Sequence, residues 1–466
     1  MKSIMKKIAL MTALAAMCSA ALCAAEKPNV ILLFIDDLGY GDIGVFGAED
    51  IPTPNIDRLA QEGVVLTQAY VTNPPCCPSR SSLIMGMYGQ HFGKYGMSRG
   101  MPIPDDKPTF AEIFRDHGYT TGQIGKWDIG TKFQGPTARG FMEVANIPPR
   151  TDDTKNNFLC VAEDGSEVWV TEIDGDNLVE FVDRNRKANK PFMMYWSPLA
   201  VHSPHKTIPE KYPARTTASK DRRKLAGGIV CMDDQVGKLL DYLDQHKLRE
   251  ETLIIFSSDN GGNVSEGASS APYRGGKGKG TQQVGWTLAP TIVSWPGVVP
   301  QGKAFDGLAC TLDFYPTMLA AAGLPIPEHI DGYDLMPYLT GKQKGDVHEY
   351  IYWLNSDPND AKHRQLVAVR RKDWRLYRQK ETDAWQLFDL AKDPREETDV
   401  AKQFPEVVMQ LAQKHANWKE TLIPRWEKDP NAPEYQQPPK PVVGYGWEIT
   451  SGNVVHEKIV KHARKK

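Results

Sequence analysis

What this chain of 466 residues has little of narrows its class. Cysteine is scarce: of seven, Cys18 and Cys23 lie in an N-terminal apolar stretch, leaving Cys76, Cys77, Cys160, Cys231 and Cys310. So few thiols exclude a scaffold built from disulfides, although one or more bridges stay open. Neither sign of charge is in surplus, with 56 Lys+Arg against 58 Asp+Glu and a formal net charge of −2. That removes the case for a global nucleic-acid surface or an acidic solvating chain, so partner choice must be local. Beyond the N-terminus no apolar run reads as a bilayer span, and no internal repeat is visible. The remaining composition is that of an ordinary globular protein, 41% hydrophobic, with length for one large unit and a smaller one.

Lys2, Lys6 and Lys7 lead the run "IALMTALAAMCSAALCAA", which ends in small residues before Glu26. This predicts an export signal over 1–25 rather than a stable membrane anchor, and a periplasmic or secreted mature chain. After it, "PNVILLFIDDLGYGD" is a buried strand that delivers Asp36 and Asp37 at its C-terminal end. "ETLIIFSSDNGG" repeats the arrangement with Asp259 and Asn260, and "KPFMMYWSPLAVHSPH" ends in His202 and His205. Helical patterns lie between them, among them "NIDRLAQEGV", "TFAEIFRDHGY" and "AGGIVCMDDQVGKLLDYLDQHK". The alternation predicts an α/β fold with a large, mainly parallel or mixed sheet flanked by helices over 26–345. In such sheets ligands bind beyond the carboxyl ends of the strands, where these polar clusters fall.

Past "DGYDLMPYLTG" the texture changes to "YIYWLN", "QLVAVRRKDWRLYR" and "DAWQLFDL", then the helical "PEVVMQLAQKHANWKETL". This predicts a smaller C-terminal α+β subdomain over 346–466 carrying an antiparallel sheet. Its Trp and Arg side chains either line a substrate groove or pack sheet against helix. The proline-rich "PNAPEYQQPPKPVVGYG" reads as extended loop and "EKIVKHARKK" as a solvated basic tail.

Asp36, Asp37, Asp259 and Asn260, brought to one sheet edge, would repel each other unless a cation sat among them. An all-oxygen set suits a hard ion, Ca2+ or Mg2+. A soft thiolate is a poor ligand for such an ion, so the neighbouring thiols Cys76 and Cys77 need another explanation.

The run Cys76-Cys77-Pro78-Ser79-Arg80 supplies it, because it resembles the C-x-P-S-R signature of the type I sulfatases of the alkaline phosphatase superfamily. The resemblance extends over almost the whole mature chain and implies an alkaline-phosphatase-like fold, with the catalytic domain over 26–345. It implies that a separate formylglycine-generating maturation enzyme oxidises Cys76 to Cα-formylglycine, whose hydrate is both nucleophile and metal ligand. One hydroxyl of the hydrate attacks sulfur and displaces an alcohol; the second allows sulfate to be expelled by C–O cleavage. The same resemblance makes Asp36, Asp37, Asp259, Asn260 and converted Cys76 the ligands of Ca2+, in preference to Mg2+. Arg80 steadies the hydrate, Lys126 in "GQIGKWDIG" contacts sulfate, and His205 faces the bridging oxygen as general acid, with His202 in a supporting role. In "YRGGKGKGTQQVGWTLAP" spacing to Pro290 selects Lys279 as a second sulfate contact, whereas the preceding "RGG" would select Lys277.

The chain departs from the family pattern in two stretches. "GKWHLG" is "GKWDIG" here, so Asp128 stands where a histidine contacts the hydrate and assists sulfate release, and Val284, Gly285 and Trp286 replace "EGG". The function expected is an exported sulfatase acting on a sulfated carbohydrate. The alternatives are a phosphonate monoester or phosphodiester hydrolase of the same superfamily, and a catalytically impaired sulfated-glycan binding protein. Sugar, sulfate position and oligomeric state are not legible.

Overall fold

The computed structural model describes residues 27–97, 100–131, 133–145, 159–161, 167–205, 207–355, 365–426, 447–449 and 461–462. The expected signal peptide and most of the expected tail lie outside them. Among the described residues the strands that build the two principal sheets are, in chain order, β1 Asn29–Ile35, β2 Val64–Leu66, β3 Thr120–Gly125, β4 Glu143–Ala145, β5 Phe192–Ser197, β6 Thr252–Ser258, β7 Thr291–Ser294, β8 Lys303–Phe305, β9 Ile351–Asn355, β10 Leu366–Arg371, β11 Trp374–Arg378, β12 Gln386–Asp389 and β13 Trp447–Ile449. The main sheet runs β8-β2-β7-β6-β1-β5-β3-β4-β13.

At its centre β1 pairs in parallel with β5 on one side and β6 on the other. The sequence of β1, β-branched or long and apolar from Val30 to Ile35, suits a strand covered on both faces, and every one of those side chains is fully buried. Burial of each contributes roughly 1.5–3 kcal/mol. Ile31, Leu33 and Ile35 point into one core with helices α1 Pro54–Gln61, α4 Val170–Lys187 and α5 Arg223–Gln245. Val30, Leu32 and Phe34 point into the other, with α2 Cys76–Met85, α3 Phe110–Asp116 and α6 Phe314–Ala321. Helix α3 begins at a capping box: the Thr109 side chain accepts from Glu112 N–H, and the Glu112 carboxylate accepts from Thr109 N–H.

Strands β9 to β12 form a four-stranded antiparallel sheet in chain order. A last helix, α8 Pro405–Lys419 (a one-turn helix, α7, spans Met336–Leu339), places Leu411 against Val369, Leu376 and Leu387 of that sheet. The C-terminal aromatics follow the packing alternative: Tyr352 stacks on Trp418 between sheet and helix, with ring centroids 5.0 Å apart. Cys76, Cys77, Cys231 and Cys310 are buried and in no disulfide; the side chain of Cys160 lies outside the described residues. No helix among the described residues is long and apolar enough to cross a membrane.

Candidate active site

The carboxyl ends of β1, β3, β5 and β6 meet the start of α2. The chain leaves β1 through Asp36 and Asp37, the latter at φ 65°, and leaves β6 through Asp259 and Asn260. Asp259 N–H donates to Ile35 O at 3.0 Å, so Asp36–Asp37 and Asp259–Asn260 are locked side by side. Asn260 Nδ2 donates to Asp37 Oδ1 at 2.8 Å, and Asn260 Oδ1 accepts from Cys76 N–H at 3.0 Å. That second bond ties the first residue of α2 to the loop after β6. The Cys76 Sγ–H donates to Asp36 Oδ1 at 3.5 Å.

The spacing of Cys76 and Arg80 has a simple cause, since residues four apart share a helix face. Pro78 is tolerated because it sits in the first helical turn. Arg80 is fully buried; its Nε and Nη2 donate to Asp259 Oδ2 at 3.0 and 2.7 Å, and its Nη1 to Tyr195 OH at 3.1 Å and to Ser197 Oγ. Lys126, just past β3, donates to Asp36 Oδ2 at 2.7 Å. Asp128, at φ 49°, brings an oxygen to 3.7 Å from the same Lys126 ammonium.

The geometry separates two pairs of candidates. Lys277, not Lys279, reaches the cluster: its Nζ donates to both Asp37 oxygens at 2.7 Å and to Cys76 Sγ at 3.2 Å. The backbone explains why, because Lys277 N–H donates to Gly262 O at 3.0 Å and Lys277 O accepts from Val264 N–H at 3.1 Å, next to the Asp259–Asn260 loop. Gly278, at φ 85°, then turns the chain, and Lys279 is exposed. Likewise His202, not His205, faces the carboxylates, with Nε2 3.7 Å from Asp37 Oδ2 and Nδ1 2.5 Å from Ser203 O. His205 is buried, its Nε2 spent on Val201 O at 2.6 Å. Sequence reasoning also missed Tyr195 and Ser197; their position at the end of the buried strand "FMMYWS" was the available signal.

The electrostatics are those of a site crowded with like charge. Burial opposes ionisation of Asp36, but Lys126, His202, Arg80 and Lys277 outweigh it and hold the carboxyl well below the usual range. Burial and the charge of Asp36 push Asp259 up to about 7, against Arg80 and Lys126. Burial lowers the pKa of His202, against the opposing charge of Asp36 and Asp37. Burial pushes the Cys76 thiol up, and a protonated thiol is neither a strong nucleophile nor a ligand for a hard cation. Donor atoms of Asp36, Asp37, Cys76 and Asp259 all lie within 4.8 Å of one another. Three buried carboxylates with an amide oxygen beside them fit a hard divalent cation, whose charge would relieve their repulsion.

A second group of possible metal ligands, Cys310, Asp313 and His348, is accounted for by hydrogen bonds. His348 Nε2 lies 2.7 Å from Asp313 Oδ1 and 3.3 Å from Cys310 Sγ, and the Asp313 oxygens also accept from Cys310 N–H and Tyr333 N–H.

The chain resembles known proteins over most of its length. Residues 28–324 match the profile of the sulfatase family, and residues 287–421 match the C-terminal region of N-sulphoglucosamine sulphohydrolase. An N-acetylgalactosamine-6-sulfatase of Canis lupus familiaris is 30% identical over 406 residues, covering 78% of this chain and 74% of that one. Arylsulfatase A of Homo sapiens is 30% identical over 460 residues, covering 85% and 88%. Among solved structures, Ps i-CgsB superposes with a TM-score of 0.75 at 32% identity over 85% of this chain and 94% of its own. A complex of Ps i-CgsB with k-i-k-neocarrahexaose superposes equally well, with a TM-score of 0.75 at 31% identity and the same coverage. With its thiol-headed helix set among carboxylates and lysines, and a family match over most of its length, the chain belongs to the sulfatases of the alkaline phosphatase superfamily.

Proposed function

We propose that this sulfate ester hydrolase acts on a sulfated carbohydrate through a Cα-formylglycine made from Cys76, with Ca2+ as its cation, in the periplasm or outside the cell. The observation that carries the chemistry is the convergence on Cys76 of Asp36, Asn260 and Lys277, with Lys126 held on Asp36. The carbohydrate reading is supported by the relatives named for N-acetylgalactosamine 6-sulfate and by the 31% identical structure that holds k-i-k-neocarrahexaose. The N-terminal "IALMTALAAMCSAALCAA" supports export.

Asp36, Asp37, Asp259 and Asn260 would hold the cation, which supplies fixed positive charge beside the oxygens of residue 76. One hydroxyl of the aldehyde hydrate, ionised beside that charge with its proton lost to solvent, would form the bond to sulfur as the bond from sulfur to the sugar oxygen breaks in line. Lys126 and Lys277 balance charge on the sulfuryl group in transfer. His202 gives a proton to the departing sugar oxygen. The second hydroxyl would then give its proton to Asp128, so that the carbonyl re-forms as the C–O bond to sulfate breaks and water restores the hydrate. The attack therefore falls on sulfur once, and the enzyme leaves the cycle by breaking one carbon–oxygen bond.

The test is peptide mass spectrometry across Cys76–Arg80, on protein co-expressed with a formylglycine-generating system, followed by sulfate release from sulfated oligosaccharides, aryl sulfate, phosphodiester and phosphonate esters. Aldehyde at position 76 with preferential release from sugar sulfates is the expected result. An intact thiol under those conditions, or glycan binding without release, refutes the mechanism; faster turnover of phosphorus esters refutes the substrate.

A further inference from the structure

The segment "LFDLAKDPREETDV", which reads as scaffold, makes a specific set of contacts with the loop that carries Lys277. Glu396 lies in this segment, 1% exposed and at φ 55°, a conformation a non-glycine residue seldom adopts. One of its carboxylate oxygens pairs with the fully buried Arg375 of β11. The other accepts from Val284 N–H at 2.8 Å. The backbone carbonyl of Glu396 accepts from Arg274 Nη2 at 2.6 Å, and Arg375 Nη2 donates to Gln282 O at 2.7 Å.

These bonds grip both ends of the loop whose middle, at Lys277, is bonded through its backbone to Gly262 and Val264. Between Arg274 and Val284 lie Gly275, Gly278 and Gly280, all at positive φ, and Lys277 sits among them. Glycine at such positions gives the chain the turns it needs and also the most freedom to lose. Gly285 N–H closes the loop on Arg274 O at 3.0 Å. A buried ion pair earns little net stability, because desolvation offsets its attraction, so stability alone gives no reason to spend one here.

We propose that the buried Glu396–Arg375 pair of the C-terminal subdomain is the positioning device for Lys277, holding the glycine-rich loop so that the ammonium meets Asp37 and residue 76. The proposal rests on Lys277 acting in sulfate ester turnover. It makes the C-terminal sheet part of the active site without any of its side chains touching substrate. A glycine-rich loop displaced by 1 Å would cost on the order of 100-fold in rate.

The test uses the full-length matured protein and the variants Glu396→Ala, Glu396→Gln, Lys277→Ala and the double Glu396→Ala/Lys277→Ala. In Glu396→Ala, amide exchange in peptides spanning 274–286 should rise by about tenfold while peptides from β1 and α8 keep their protection. Its kcat/KM should fall about 100-fold, and by less than about threefold when Lys277 is already alanine. Glu396→Gln keeps one acceptor oxygen but leaves Arg375 without its counter-charge, so it should recover part of the loss and stay below the wild type. Multiplicative losses in the double variant, or exchange that rises everywhere or not at all in the loop, overturn the positioning role. If Glu396→Ala does not fold, Arg274→Ala, which removes the bond to the Glu396 carbonyl, carries the same two readouts. Should Lys277→Ala alone keep full turnover, the role given to Lys277 fails instead, a result the exchange data separate from failure of the clamp.

Discussion

Lys277 and Lys279 stand two residues apart on one loop, and replacing each by alanine gives a sharp contrast. Lys277 Nζ sits 2.7 Å from both oxygens of Asp37 and 3.2 Å from Cys76 Sγ, whereas Lys279 faces solvent. A unit charge pair at 4 Å is worth about 4 kcal/mol at an effective dielectric of about 20. Removing one fixed donor from a developing oxyanion costs about 2.7–4 kcal/mol, or roughly 10²–10³ in kcat. Lys277→Ala should therefore lose roughly 10²–10³ in kcat/KM for a sugar sulfate, while Lys279→Ala, like most surface changes, stays within about twofold. The assay is sulfate release by the matured enzyme at saturating Ca2+, with thermal melting in parallel to exclude unfolded protein. A larger loss in Lys279→Ala than in Lys277→Ala refutes the reasoning from geometry.

The remaining predictions concern protons, metal and stability. His202→Ala should lose roughly 10²–10⁴ on a sugar sulfate, and far less on 4-nitrophenyl sulfate, whose leaving group needs no proton; equal losses on both contradict the acid role. His205→Ala, which strands the Val201 carbonyl, should lower the melting temperature by an amount worth about 1–3 kcal/mol without that leaving-group dependence. Chelation with EDTA should abolish turnover, and Ca2+ at about 100 times its Kd should restore it and add about 2.7 kcal/mol of stability, seen as a higher melting temperature. Asp174, buried on α4, is pushed by burial from 3.8 up to about 7, so the folded chain keeps a proton that the unfolded chain releases. Its contribution is complete below the unfolded value and is lost as pH rises towards 7, at about 1.4 kcal/mol per pH unit. Asp174→Asn should therefore gain on the wild type by about 3 kcal/mol between pH 5 and pH 8 in urea melts; a constant difference rules this out.

Much of this was legible because the informative residues are close in sequence. The apolar run of β1 announces a strand buried on both faces, and Asp36 and Asp37 follow it directly. Cys76 and Arg80 lie one helical turn apart inside a single short phrase. What failed to be legible depends on pairings between distant segments. Lys277 is selected by backbone bonds to Gly262 and Val264, which the local text "GGKGKG" does not encode. In "HSPH" both histidines are competent, and only the path of the loop turns His202 towards Asp37 and His205 back on Val201 O. The phrase around Glu396 reads as packing because its partners, Arg375 on another strand and Val284 in another loop, are invisible locally.

Every residue of α2 is buried, and Cys76 keeps 3% of its surface. Opening such a core segment costs close to the free energy of unfolding the whole domain. If Cys76 is the residue converted, an oxidising enzyme must therefore read the chain while it is still extended, and folding closes the opportunity for good. The yield of active enzyme then becomes the outcome of a race between two rates. A preparation can be uniformly folded, equally stable throughout and still only fractionally competent, according to how long the nascent segment stayed open.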